Sequence, residues 1–245
     1  MLLERPEVIE NYLFLARIAM EQDNYAEAVV HLEKAIQLEP DNTIPHSKLG
    51  QALLKLGRTD EAIEHFKEVL RLWPEKPWAH DALGMALMEQ KKFDQAITHF
   101  KKELEIDFDT IDEEHGTLQF KPHNHEALLH LGQAYFLTQN YEQAVNYWEK
   151  AVSIKPDDKE THASIGQALA KLSDFDNAIR HWSIAASLDP SEPVFYYNIG
   201  LAYHKKGMLD EAIEYYKRTL SINPNHQNAK KNLAIAILRN STQNK

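Results

Sequence analysis

The sequence predicts an all-α fold, a row of stacked helical hairpins, and three observations carry that prediction. Gly50, Gly84, Gly132, Gly166 and Gly200 stand 34, 48, 34 and 34 residues apart. Pro40, Pro74, Pro122, Pro156, Pro190 and Pro224 keep the same beat. Between these markers the apolar residues recur three, four and seven positions apart, the stripe of an amphipathic helix. A fixed period of roughly 20–50 residues marks an array whose units bury their apolar faces against one another. The long step of 48 equals one 34-residue period plus a 14-residue insertion.

After a short lead, 1–8, the first frame is 9–42, and the second, 43–76, has the plainest pattern. His46, Leu49, Gly50 and Leu53 form the stripe of its first helix, and Ala62, Ile63, Phe66, Val69 and Leu70 that of its second. Gly57 between them, like Gly207 in the last frame, suits a residue that ends a helix with positive φ. Asp60, Glu61, Asp94, Glu142, Asp176 and Asp210 open the second helices, where carboxylates complement the helix dipole. The recurring proline then stops each second helix. The third frame, 77–124, carries the insertion 108–121, and frames 125–158, 159–192 and 193–226 follow. Residues 227–239 read as one more first helix, a cap with Leu233, Ala234 and Ile237 in the expected places, before a polar tail, 240–245.

Composition narrows the function. The 245 residues include 27 basic and 37 acidic side chains, a net charge of −10, which argues against a nucleic-acid partner. There is no cysteine, which excludes disulfides, thiol nucleophiles and cysteine metal sites. Eight glycines leave little room for a phosphate-binding loop. No apolar run approaches the roughly 20 residues of a membrane-spanning helix, and Met1–Pro6 lacks the pattern of a secretory signal. A cytoplasmic protein is the expectation.

At the level of motifs the chain resembles the tetratricopeptide repeat (TPR) family, whose pattern is W-x2-L-G-x2-Y, then A-x3-F, then P. Leu128, Leu131, Gly132, Tyr135, Ala144, Trp148 and Pro156 match it. So do Tyr196, Ile199, Gly200, Tyr203, Ala212, Tyr216 and Pro224, and in frame 159–192 Ile165, Gly166, Leu169, Ala178, Trp182 and Pro190. The first frame has Ala16 in place of the glycine but keeps Tyr25, Ala28, Leu32, Ala35 and Pro40. The resemblance implies a right-handed α-solenoid superhelix that binds a protein or peptide segment in its concave groove, with no cofactor and no catalytic domain.

Carried over by frame, the groove face presents Leu13, Arg17 and Met20, then Ile44, Ser47, Gln51 and Leu54, then Trp78, Asp81, Met85 and Met88. Leu129, Gln133 and Phe136 follow, then Glu160, Gln167, Tyr197 and Leu201. Some TPR proteins clamp the carboxylate tail of Hsp70 or Hsp90 with Lys, Asn and Arg. The first three frames here offer Leu13, Arg17, Lys48, Trp78 and Ala82, which is not that set. A second reading is a self-associating organiser of a larger assembly. The insertion reads first as a tolerated surface loop; the sharper alternative is that Phe108, Ile111, Leu118 and Phe120 dock on the solenoid or a partner.

The histidines are mostly periodic: His31, His65, His99 and His181 share one place, and His46, His80 and His162 another, which points to packing. His125 and His130 resemble the zinc-protease H-E-x-x-H pair, but five residues separate them by about 140° around a helix. His115, His123 and His125 leave a metal-binding insertion as a weaker alternative.

Overall fold

The computed structural model describes residues 5–76, 78–106 and 122–243, and these form thirteen α-helices and no strand. Phe108, Ile111, Leu118, Phe120 and His115, and the side chain of His123, lie outside the described residues. Two compact units, Met1–Ala134 and Tyr135–Lys245, divide the chain inside one helix.

The first unit holds α1 (Arg5–Glu21) and α2 (Tyr25–Leu38), α3 (Thr43–Lys55) and α4 (Thr59–Leu72), and α5 (Ala79–Glu89) and α6 (Phe93–Glu105). The start of α7 (Pro122–Leu137) also belongs to it. The second unit takes the end of α7, then α8 (Tyr141–Ile154), α9 (Lys159–Lys171), α10 (Phe175–Leu188), α11 (Pro193–Lys206), α12 (Leu209–Ile222) and α13 (Gln227–Gln243). From α1 to α6 and from α8 to α13, each helix packs on the next.

The periodic glycines are where hairpins close. A Cβ on Gly50 would lie 2.6 Å from the Phe66 ring, on Gly84 2.5 Å from Phe100, on Gly166 2.5 Å from Trp182 and on Gly200 2.8 Å from Tyr216. The second-helix aromatic thus sits directly on first-helix backbone, and both helices lose water over that contact. The opening acids of the second helices also link neighbouring hairpins. Asp60 accepts from Gln90 (2.6 Å), Asp176 from Lys206, and Asp210 from Asn240 (2.6 Å). Each bond ties one hairpin to the first helix that follows it.

Gly57 and Gly207 do adopt positive φ, 71° and 78°. The same place in the other frames is left-handed without glycine, at Asp23, Lys91, Gln139 and Ser173 (φ 56–64°). The short turn imposes this conformation whatever the side chain, and a Cβ there is strained. Gln139→Gly is therefore expected to raise unfolding free energy by about 0.5–1 kcal/mol, after allowing for the greater entropy of an unfolded glycine. A denaturant titration that shows no change or a loss would contradict this account of the turn.

Two ends depart from the frames. Helix α13 runs to Gln243, and it packs on α12 through Leu233 and Ala236, with Ala229 buried and Ala234 and Ile237 exposed. Helix α5 starts at Ala79, two residues later in its frame than α3 and α9 in theirs, because Trp78 is left-handed (φ 63°).

Candidate functional site

In the second unit a groove of about 760 Å³ opens along the first helices. Phe136 from α7, Gln167, Ala170 and Lys171 from α9, and Val194, Asn198, Leu201 and Lys205 from α11 line it, with Ser173, Phe175 and Trp182 contributed by the next turn and by α10. Its floor is fixed by packing. The Trp182 indole is buried and donates to the Ala163 carbonyl (3.1 Å), while Phe136 packs against Tyr141 and Trp148 at 5.3 and 5.8 Å between ring centroids. The rim is polar: Gln167, Lys171 and Lys205 are exposed. An apolar floor with a few convergent polar groups is the usual make-up of a ligand site.

Of the side chains expected on this face, Phe136, Gln167 and Leu201 are brought together here, with Asn198 between them. Tyr197 turns toward the cap: its hydroxyl accepts from Asn232 (3.0 Å), and its ring lies 4.6 Å from His226. Glu160 is exposed at the start of α9, outside the groove lining. The sequence pattern did not single out Lys171, Val194 or Lys205. Lys171 and Lys205 are separated by one 34-residue period, the signal that could have found them.

In the first unit the expected residues form a looser row. Arg17, Ile44, Gln51, Met85 and Gln133 are exposed, and Leu13, Met20, Leu54, Met88 and Leu129 are partly covered. Arg17 pairs with Glu21 (3.4 Å) and lies over the Phe14 ring. Ser47 is a correction: it is 5% exposed and donates to the Ile44 carbonyl, because its short hydroxyl bonds its own helix instead of reaching solvent. Asp81 holds the His130 ring at 2.7 Å, with Phe100 packed beside it. That contact commits His130 to packing between hairpins. No group of three or more metal-ligating side chains occurs among the described residues.

Trp78 is held by its backbone. Glu103 on α6, 3% exposed, accepts from the Trp78 amide (2.6 Å) and the Asp81 amide (3.2 Å). A carboxylate from the neighbouring helix thereby caps α5, where a negative charge meets the free amides and the positive end of the dipole.

The periodic histidines form pairs. His46 meets His65, His80 meets His99 and His162 meets His181, each Nδ1 to Nδ1 at 3.0 Å. The Pro40 carbonyl accepts from His46 Nε2 (2.9 Å) and the Pro156 carbonyl from His162 Nε2 (3.1 Å). A carbonyl can only accept, so the first ring carries its proton on Nε2 and accepts at Nδ1 from the second ring. Each of these two hairpins is thus latched by a proline–histidine–histidine relay. Tyr147 and Tyr215, which replace the second histidine, stack instead on Tyr135 and Tyr203 at 5.5 Å.

Helical hairpins in series, closed by glycine–aromatic contacts and offering an open groove on their first helices, define a helical-repeat protein. Sequence profiles of the tetratricopeptide repeat match residues 19–64, 42–107, 132–173, 166–207 and 193–226. The chain belongs to the tetratricopeptide repeat family. No curated protein matches its sequence. Among solved structures it is similar to YrrB, a TPR protein with an unusual peptide-binding site (21% identity, 82% of this chain and 96% of that one, TM-score 0.68). It is also similar to MamA (26%, 72% and 95%, 0.63) and to PilF of Pseudomonas aeruginosa (19%, 94% and 98%, 0.70). No helix among the described residues is long and apolar enough to cross a membrane.

Proposed function

We propose that this chain is a non-catalytic adaptor that holds a segment of a partner protein in the groove of its first helices. The observation that carries this reading is the 760 Å³ groove, with an apolar floor of Phe136, Trp182 and Leu201 and amide side chains of Gln167 and Asn198 beside it. The floor supplies affinity by burying partner side chains, and the amides bond a peptide backbone. Packing fixes the floor before the partner arrives, so binding costs the protein little ordering entropy. The peptide-binding site of YrrB is in keeping with this use of the fold.

Selection of peptides from a displayed library tests the reading. Peptides retained by the chain are expected to lose about tenfold or more in affinity for Phe136→Ala/Leu201→Ala. Selected peptides that bind the variant as tightly as the parent protein would remove the groove assignment.

A second reading, self-association into a larger assembly, is favoured by Leu15. Its counterparts Leu49, Leu83, Leu131, Ile165 and Ile199 are 0–2% exposed, whereas Leu15 is 43% exposed. In this reading a second copy covers that face of α1. Light scattering should then show concentration-dependent mass that Leu15→Glu abolishes; a monomer at all concentrations would dismiss it.

A further inference from the structure

We infer that the second-unit groove selects acidic partner segments in extended form, with a carboxylate at every third residue and apolar side chains between. This inference rests on the groove reading and specifies what that groove takes. At the place where each first helix meets its turn, the chain carries Glu21, Lys55, Glu89, Leu137, Lys171, Lys205 and Arg239. In the first unit the sign alternates; in the second, three cations follow in register.

A cation at a helix C-terminus also complements the dipole, but Glu21 and Glu89 in the same place show that the fold does not demand one. Lys171 and Lys205 line the groove, and neither makes an ion pair among the described residues. Arg239 leans toward the same helix as Lys205, with its guanidinium 3.4 Å from His204 Nε2. No carboxylate lines the groove, although the chain carries a net charge of −10. The only charge this site offers a ligand is positive, and an anionic partner is the complement.

The spacing sets the ligand's form. Neighbouring packed helices lie about 10 Å apart, and an extended peptide advances roughly 3.3 Å per residue. Helices α9 and α11 both pack on α10, so one hairpin step spans one to two such spacings, about three to six residues. Carboxylates at every third residue offer Lys171 and Lys205 a partner at either span. The residues between them reach the Phe136, Trp182 and Leu201 floor.

Fluorescence anisotropy with a labelled synthetic peptide of three Glu-Leu-Phe triplets tests this against the same peptide with Gln for Glu. The Glu peptide is expected to bind about tenfold or more tightly, with the gap shrinking as salt rises from about 0.05 to about 0.5 M. Lys171→Glu/Lys205→Glu should erase the gap and instead prefer a Lys-Leu-Phe peptide, a gain that an unfolded variant could not show. Phe136→Ala/Leu201→Ala should weaken both the Glu and the Gln peptides. Equal affinity for both, lost only in the Phe136/Leu201 variant, would overturn the acidic preference and leave the groove standing. Binding unaffected by either variant, or no binding of any peptide, would overturn both.

Discussion

Lowering the pH from about 7.5 to about 4.5 is expected to cost this protein several kcal/mol of stability, through the paired histidines. Burial pushes the His99 and His181 rings down to about 4, helped by His80, Lys102 and Lys67 around the first and by His162 and Arg180 around the second. His65 and His80 are lowered as well, mainly by burial, although Glu61 and Glu68 beside His65 and Glu105 beside His80 pull the other way. In the unfolded chain each histidine takes up a proton near pH 6.5, while in the folded chain His99 and His181 resist until about pH 4. Between those values the unfolded state binds more protons, so stability is complete above about pH 6.5 and is lost as pH falls.

For His99 and His181 the loss is about 1–3 kcal/mol each, once solvent screening is allowed for at the partly exposed His99 ring. His181 is the stricter case, because its Nε2 is buried without a hydrogen-bond partner and a proton placed there would gain none. The carboxylates held low by ion pairs, such as Asp189 at about 2, add their share only below about pH 4. Urea titrations at a series of pH values should show this two-stage loss. His99→Tyr/His181→Tyr, which installs the residue that Tyr147 and Tyr215 supply elsewhere, should flatten the upper stage. An unchanged upper stage in that variant would place the acid sensitivity outside the paired histidines.

Glu103→Ala is expected to destabilise the chain by about 2–4 kcal/mol. The substitution removes the carboxylate acceptor of the Trp78 and Asp81 amides, leaving the left-handed Trp78 held only through its carbonyl, which accepts from the Ala82 amide. Glu103→Gln keeps one acceptor oxygen and should cost about half as much. Hydrogen exchange would localise the effect, with amides 78–82 losing protection first. The contrary outcome has a structural meaning, since the same place holds Val69, Ala151, Ala185 and Thr219 in other frames. If Glu103→Ala is neutral, α5 can start as its counterparts do, and the carboxylate is a substitute cap of no net benefit.

The contrast between Glu103 and Gly166 explains how much was legible. Gly166, Trp182 and their counterparts recur every 34 residues, so periodicity alone assigns them to the architecture, and the 2.5 Å clearance gives the reason. The histidines are likewise recognisable as structural from their spacing. Their pairing is not, because residues 19 apart meet only once the turn fixes the register of the hairpin. Lys91 and Gln139 hide their left-handed backbone because the turn, not the side chain, sets it. Glu103 breaks the period, and a single polar departure gives no clue to which amides it will reach. In the groove, Phe136, Gln167 and Leu201 follow from their frame positions, but Lys171 and Lys205 read as ordinary helix ends. Only the missing carboxylates and the absent ion pairs set them apart.

That the first helices of the second unit form the partner site is tested most directly by amide NMR mapping of a bound peptide. Titration with the Glu-Leu-Phe peptide should shift amides of α9 and α11, concentrated around 167–171 and 198–205, and leave the outer faces of α10 and α12 unchanged. Shifts centred on α10 and α12, with 167–171 and 198–205 silent, would contradict the groove assignment.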